Sequence, residues 1–220
     1  MAKVVVFDLD GTLIDSEKHC YASFDYALEP FGIKATKEIL ERIRGRGSFD
    51  LFDPLLKSPV ERTEALDRLN WFSLEYAHEQ TLYDGVEEVL DSIKSKGTPI
   101  ALWTGRDHIS AEKTLKLLNI RNYFSYTVGA CLVKNNKPHP EGLFLIAKEL
   151  KLDPKTIVHV GDHHHDVEGA RAAEALSIGA NWHTSEPEKK SWKHEPHHQF
   201  NCIFEFKNWV NDRISSKSQI

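Results

Sequence analysis

"VVVFDLDGT", Val4 to Thr12, is the stretch on which the reading of this chain turns. Val4 to Phe7 is a short unbroken apolar run that ends directly in Asp-Leu-Asp-Gly. A run of this kind, closed by turn chemistry, predicts a strand buried on both faces. Asp8 and Asp10 then stand at the carboxyl end of that strand, where ligands collect in open α/β sheets. Gly11 permits a sharp turn, so the two carboxylates can converge on one centre. An acidic turn after a strand is common, however, and the pair alone does not establish a site.

The pattern repeats along the chain. Thr98 to Trp103 ("TPIALW") and Thr156 to Val160 ("TIVHV") are apolar runs of the same kind. Tyr126–Val128, Ser177–Ala180 and Cys202–Phe204 are weaker strand candidates. Helical patterns fall between them, at Val86–Lys96, Ile109–Leu118, Pro140–Leu150 and Asp166–Leu176. This alternation predicts an α/β fold: a Rossmann-like parallel sheet covered by helices on both faces.

One segment breaks the alternation. From about Asp15 to Tyr83 there is no convincing strand. Cys20, Phe24, Leu28 and Phe31 recur at helical spacing. Ser58-Pro59-Val60-Glu61 combines a capping box with proline at the first helical position, and Leu66, Leu69, Ser73 and Tyr76 continue that helix. The expected organisation is a core of residues 1–14 and 84–220, with an α-helical cap of residues 15–83 inserted after the first strand. The polar end of the chain after Val210 is expected to fray.

Bulk properties bound the function. The 220 residues carry 28 basic and 33 acidic side chains, a formal charge of −5. A mildly acidic chain lacks the basic footprint of a nucleic-acid or anionic-membrane binder. Cys20, Cys131 and Cys202 are few, odd in number and scattered, which fits neither a disulfide framework nor a zinc ribbon. No apolar run approaches the ~20 residues of a membrane helix, and the N-terminus lacks a secretory pattern. A reduced, cytoplasmic protein is expected.

The companions of Asp8 and Asp10 make the case for chemistry. Thr104 and Gly105 end one strand, Lys137 opens "KPHP" ahead of a helix, and Asp162 ends "TIVHV" with Asp166 four residues on. All fall where a strand gives way to a loop. Carboxylates, a hydroxyl beside a backbone amide, and a lysine together suit a hard cation and a phosphoryl group.

With "DLDGTLIDS", "TG", "KPHPEG" and "GDHHHD" in this order, the chain resembles the haloacid dehalogenase superfamily from Val4 to about Phe206. It is most similar to the phosphoglycolate phosphatase-like branch with a helical cap. "LYDGVEEVL", Leu82 to Leu90, resembles the return from cap to core. The resemblance implies a Mg2+-dependent phosphatase acting on a small phosphorylated metabolite. In that reading Asp8 is the nucleophile, forming an aspartyl-phosphate. Asp10 protonates the leaving oxygen, then takes a proton from water, and its carbonyl ligates the metal. Thr104 and Gly105 hold the phosphoryl oxygens, and Lys137 neutralises charge. Asp8 and Asp162 also ligate the metal, and Asp166 is a further ligand or a carboxylate just behind the ligands. Having Asp10 favours phosphate esters over carbon–halogen or carbon–phosphorus bonds. A phosphotransferase or phosphomutase on the same scaffold is the alternative, and a non-catalytic phospho-accepting signalling domain a remote one.

Several features stand outside this pattern. His163 occupies a position where a small hydroxyl residue is usual, and Glu174 one where glycine is frequent. Arg44 and Arg46, in "IRGRGS", are either a solvated loop or a clamp for the substrate's distal anion, and Arg106 is a further candidate for substrate contact. Eight of the 12 histidines lie between His159 and His198. His183, His194, His197 and His198 read as solvated loop residues. His163, His164 and His165 look like a zinc site, but imidazole matches Mg2+ poorly. They are expected to surround the metal site, with His163 acting on the metal through its ligands. Oligomeric state is not legible.

Overall fold

The computed structural model describes residues 2–43, 51–182 and 192–214. Strands β1 (Val4–Phe7), β4 (Ile100–Trp103), β5 (Phe124–Val128), β6 (Ile157–Gly161), β7 (Leu176–Ala180) and β8 (His198–Phe200) form one parallel sheet in the order β5-β4-β1-β6-β7-β8. The strand that begins the chain is therefore central, paired with β4 on one side and β6 on the other. Its four apolar residues divide between two cores because side chains alternate across a strand. Val5 and Phe7 pack with α4 (Val86–Ser95), α5 (His108–Leu117) and α8 (Ile203–Asn211). Val4 and Val6 pack with α6 (Glu141–Glu149) and α7 (His164–Ala172). The fully buried, unalternating run "VVVF" follows from helices on both faces.

Four expectations in the C-terminal half are corrected. Cys202–Phe204 is not a strand: the edge strand is His198–Phe200, and Cys202 caps α8. Ile203, Phe206 and Val210, spaced three and four apart, form the buried face of that helix. α7 starts at His164, two residues early, and stops at Ala172, short of the expected Leu176. His198 lies on a strand with its ring 5.0 Å from Trp209, and His197 Nδ1 lies 2.7 Å from Ser177 Oγ, so neither is merely solvated. Residues beyond Val210 do not fray at once, since Ile214 is buried and bridges Ala2.

Between β1 and α4 the chain builds a separate helical layer. It enters and leaves through a two-stranded antiparallel ribbon, β2 (Ile14–Asp15) with β3 (Thr81–Leu82). Two residues per strand are too few for a periodic signal. Helices α1 (Glu17–Leu28), α2 (Lys37–Ile43) and α3 (Pro59–Glu75) follow, with a small core of Ala27, Leu28, Phe52, Leu56 and Ala65. Phe24, Leu28 and Phe31 meet this core as their spacing suggested, but the most buried stripe of α1 also takes in His19, Ser23 and Ala27. The His19 ring lies 5.5 Å from that of Phe72 on α3. Pro59 opens α3 as expected, but Ser58 makes no side-chain capping bond. Arg62 instead holds the approach, donating to the carbonyls of Leu56 and Lys57, each at 2.8 Å.

Three core helices end on non-glycine residues in the left-handed region: Asn119 (φ 59°), Lys151 (φ 54°) and Glu174 (φ 55°). In each, the next residue closes the turn, with Ile120, Leu152 and Ala175 donating to carbonyls of Leu115, Ala147 and Ala170. This is the Schellman geometry, which favours glycine. Glu174, where glycine seemed the usual residue, occupies such a position and pairs with Lys155 at 2.8 Å on the surface. A side chain in this conformation costs about 1–2 kcal/mol, partly offset by glycine's greater chain entropy. Lys151→Gly should therefore stabilise the fold by about 0.5–1 kcal/mol. Urea unfolding measures this, and an unchanged or lower midpoint would contradict the strain.

Candidate active site

The central position of β1 assembles the site. Asp8 continues its ladder, donating its N–H to Val160 O at 2.8 Å. Thr104 directly follows β4 on one side, and Asp162 directly follows β6 on the other. The loop after β5 supplies Lys137, and the first turn of α7 supplies Asp166. Lys137 Nζ lies 2.6 Å from Asp8 Oδ1 and 2.6 Å from Asp166 Oδ1, bridging two carboxylates separated by 158 positions in the chain. One oxygen each from Asp8, Asp162 and Asp166 lies within 4.8 Å of the others, and all three residues are buried.

Two glycines allow this convergence. Gly11 has φ 76°, and a Cβ there would come within 2.6 Å of Asp162 Oδ2. At Gly161 a Cβ would lie 2.2 Å from the Asp166 carboxyl carbon. Both carboxylates rest against bare backbone, so alanine at either position displaces a charged group.

The electrostatics are uneven. Burial pushes Asp8 well above its ordinary value. Lys137 opposes this, but the charges of Asp166, Asp162 and Asp10 add to the rise. Burial also opposes ionisation of Asp166, yet Lys137 and the buried His159 reverse the outcome and hold it well below the carboxylate range. His159 Nε2 lies 3.2 Å from Asp166 Oδ1, and its Nδ1 lies 3.1 Å from Val6 O. Burial pushes Lys137 downward, but Asp166 and Asp8 outweigh it and raise it above its usual value. One ammonium thus serves two carboxylates, at 2.6 Å from each. A further positive charge beside Asp8 would favour its ionised form. Clustered hard oxygens fit Mg2+.

Asp10 stands slightly apart. Arg106 grips it with both ends of its guanidinium, Nε at 3.1 Å from Oδ2 and Nη2 on Oδ1. Burial pushes Asp10 upward, but Arg106, with a bond from Ser16, outweighs it and lowers its pKa. Thr104 is buried, and its hydroxyl accepts from the Arg106 N–H at 3.1 Å. Gly105 follows on the open side, with nothing within 4 Å of the place a Cβ would occupy. Asp8, Asp162, Asp166 and Lys137 therefore come together, with Thr104 and Gly105 at the end of the neighbouring strand. Arg106 reaches Asp10. Arg44 and Arg46 lie outside the described residues.

The triple histidine has a structural role that the sequence did not reveal. His163 is the N-cap of α7: its Nδ1 accepts from the His165 N–H at 3.3 Å, while its own N–H donates to Asp166 Oδ2 at 3.0 Å. An imidazole does here what a hydroxyl residue ordinarily does. Burial, with the nearby His164, lowers His165 to about 4.

Two participants escaped the sequence reading. His159 is buried on β6 and bonded to Asp166. Trp103, at the end of β4, places its ring 4.8 Å beneath Lys137 Nζ and 5.0 Å from His159. The available signal was the polar residue in "TIVHV", since a buried polar side chain in an apolar strand asks for a partner.

Comparison with known proteins agrees with this geometry. A family model described as haloacid dehalogenase-like hydrolase matches residues 5–180. A phosphoglycolate phosphatase of Escherichia coli (strain K12) is 32% identical, with 80% of this chain and 79% of that protein covered. Pyrophosphatase PpaX of Bacillus pumilus is also 32% identical, covering 87% and 88%. Among solved structures, a hydrolase from Pseudomonas syringae superposes with TM-score 0.82 at 20% identity, covering 97% of this chain and 100% of that one. CbbY from Rhodobacter sphaeroides in complex with phosphate gives TM-score 0.81 at 18% identity, covering 94% and 96%. With its parallel sheet, its carboxylates at the strand ends and a family match over most of its length, the chain belongs to the haloacid dehalogenase-like hydrolases.

Proposed function

We propose that this protein is a Mg2+-dependent phosphatase that hydrolyses a small phosphomonoester, such as phosphoglycolate or a sugar phosphate, through an aspartyl-phosphate. The observation that carries the reading is the buried Asp8 carboxylate, bonded to Lys137 and grouped with Asp162 and Asp166. Relatives acting on phosphoglycolate and pyrophosphate support the substrate class.

Asp8, Asp162 and Asp166, with the Asp10 carbonyl, would hold the cation, which would offset the repulsion between a carboxylate and a phosphate. Lys137 holds Asp8 Oδ1, leaving Oδ2 to attack phosphorus. Thr104 and the Gly105 amide receive the phosphoryl oxygens. Asp10 must leave Arg106 to act as the acid that protonates the departing oxygen. Back in that pair it is a carboxylate, the form that takes a proton from the water that cleaves the intermediate. The helical layer of residues 15–83 serves as a cap that closes over the substrate and contributes to its selection. No helix among the described residues is long and apolar enough to cross a membrane.

A phosphatase screen with and without Mg2+ tests the reading. Wild type should release phosphate only with the cation, and Asp8→Asn should lose activity by more than about 1,000-fold, the scale of losing a covalent nucleophile. Activity that survives Asp8→Asn refutes the mechanism; transfer to a sugar phosphate instead of water would favour a mutase. A second experiment does not depend on turnover. Lys137→Met leaves buried carboxylates facing one another and should cost about 3–5 kcal/mol. Mg2+ should raise the melting temperature of this variant more than that of wild type, and equal shifts would argue against a cation among these carboxylates.

A further inference from the structure

Arg106 follows the end of β4 with every guanidinium nitrogen engaged. Nε and Nη2 hold the two oxygens of Asp10, and Nη1 donates to Thr114 Oγ1 on α5 at 3.2 Å. Its backbone N–H is tied to Thr104 Oγ1. The Arg106 side chain is only 11% exposed, against 37% for Asp10. Among the described residues, Asp10 is the one carboxylate paired with it. Asp107, next in the chain, is committed to the start of α5, where its carboxylate accepts from the N–H groups of Ile109 and Ser110. Gly105, on the other side, faces open space. From the helical layer, His19 lies within electrostatic reach of both Arg106 and Asp10. It is buried, and neither ring nitrogen has a hydrogen-bond partner. Such a ring is rare in a native fold and marks a place where a polar ligand fits.

We propose that Arg106 is an anion-sensing latch, which holds Asp10 until a second anionic group on the substrate takes the place of the Asp10 carboxylate. The inference rests on the phosphatase reading above, in which Asp10 must leave Arg106 to reach the departing oxygen. Removing one member of a buried ion pair strands the other charge, which is costly. Arg106 has no second carboxylate among the described residues to turn to, so an anion must enter as Asp10 departs. A carboxylate or phosphate carried by the substrate matches the planar fork that Asp10 fills at rest. Thr114 Oγ1 keeps its hold on Nη1, so the guanidinium stays in register while its anion changes. No covalent bond changes at Arg106; one ion pair replaces another. Once the phosphoryl group is on Asp8, the product alcohol or phosphate leaves with its anion, and Arg106 recovers Asp10 for the hydrolytic step. The substrates selected are therefore small phosphate compounds that carry a second anionic group. A monoester with a neutral tail leaves the latch shut.

Three substrates test the latch: phosphoglycolate, with a carboxylate tail; pyrophosphate, with a second phosphate; and ethyl phosphate, with a methyl group where phosphoglycolate has its carboxylate. With Mg2+, wild type should favour at least one of the first two over ethyl phosphate by more than about 100-fold in kcat/KM, since a site built for a polar group rejects an analogue that lacks it. The one favoured identifies the second anion as carboxylate or phosphate. Arg106→Met should cut that ratio to below about 10-fold, and Arg106→Lys, which keeps the charge without the fork, should fall between. Equal kcat/KM for all three substrates in wild type, or an unchanged ratio in Arg106→Met, would overturn the proposal. A binding measurement separates the latch from the phosphatase reading. In Asp8→Asn, calorimetry should show the favoured anionic substrate bound more tightly than ethyl phosphate, and the NMR signal of the Arg106 Nε–H should shift with the former and not with the latter. Equal binding and an unmoved Arg106 signal would sink the latch even if wild type proves to be a Mg2+-dependent phosphatase. Turnover that survives Asp8→Asn would instead sink the phosphatase reading.

Discussion

Lys137 Nζ, held between Asp8 and Asp166, is the interaction on which the carboxyl end of the central sheet depends. Taking an ammonium and two carboxylates out of water is expensive, and their attraction repays it only with close geometry and full hydrogen bonding. Each neighbour supplies part of that. Trp103 provides an aromatic floor beneath Lys137. His159 and the His163 N–H bind the remaining face of Asp166. Gly161 removes the side chain that would collide with it. The arrangement holds three buried carboxylates, Asp8, Asp162 and Asp166, close to one another.

The parallel sheet explains why residues so far apart in sequence meet. β1 sits between β4 and β6, so three successive strand ends present Thr104, Asp8 and Asp162 side by side. Helices on both faces force β1 to be apolar throughout. The first polar residue after it therefore marks the rim, and that residue is Asp8. The burial of the strand and the placement of Asp8 at its rim are two consequences of one topological position.

That coupling also decides what was legible. "VVVF", "TPIALW" and "TIVHV" announced three central strands because burial on two faces leaves a continuous apolar signature. The site acids stood out because each follows such a run. β8 did not announce itself: His198–Phe200 is a short, largely exposed edge strand without that signature, whereas Cys202–Phe204 looked apolar because it begins a helix face. The β2–β3 ribbon was too short to leave a pattern. The partnership of Arg106 with Asp10 is a contact across 96 positions, and nothing local in "TGRD" distinguishes an arginine that faces a substrate from one that grips a carboxylate. His163 showed its departure from the usual residue, but only the backbone geometry revealed that imidazole can take over the cap.

The central place of β1 has a consequence for how the chain is made. β1 is synthesised before both of its neighbours, which begin at Ile100 and Ile157. At ~5–20 residues per second, "VVVF" waits on the order of ten seconds for its second neighbour. During that time it is a short apolar segment with two open edges, the kind that pairs with other chains. The acidic residues immediately after it, Asp8 and Asp10, put charge next to that exposed segment. The carboxylates at the heart of the finished site are thus also positioned to act as solubilising gatekeepers for the nascent strand.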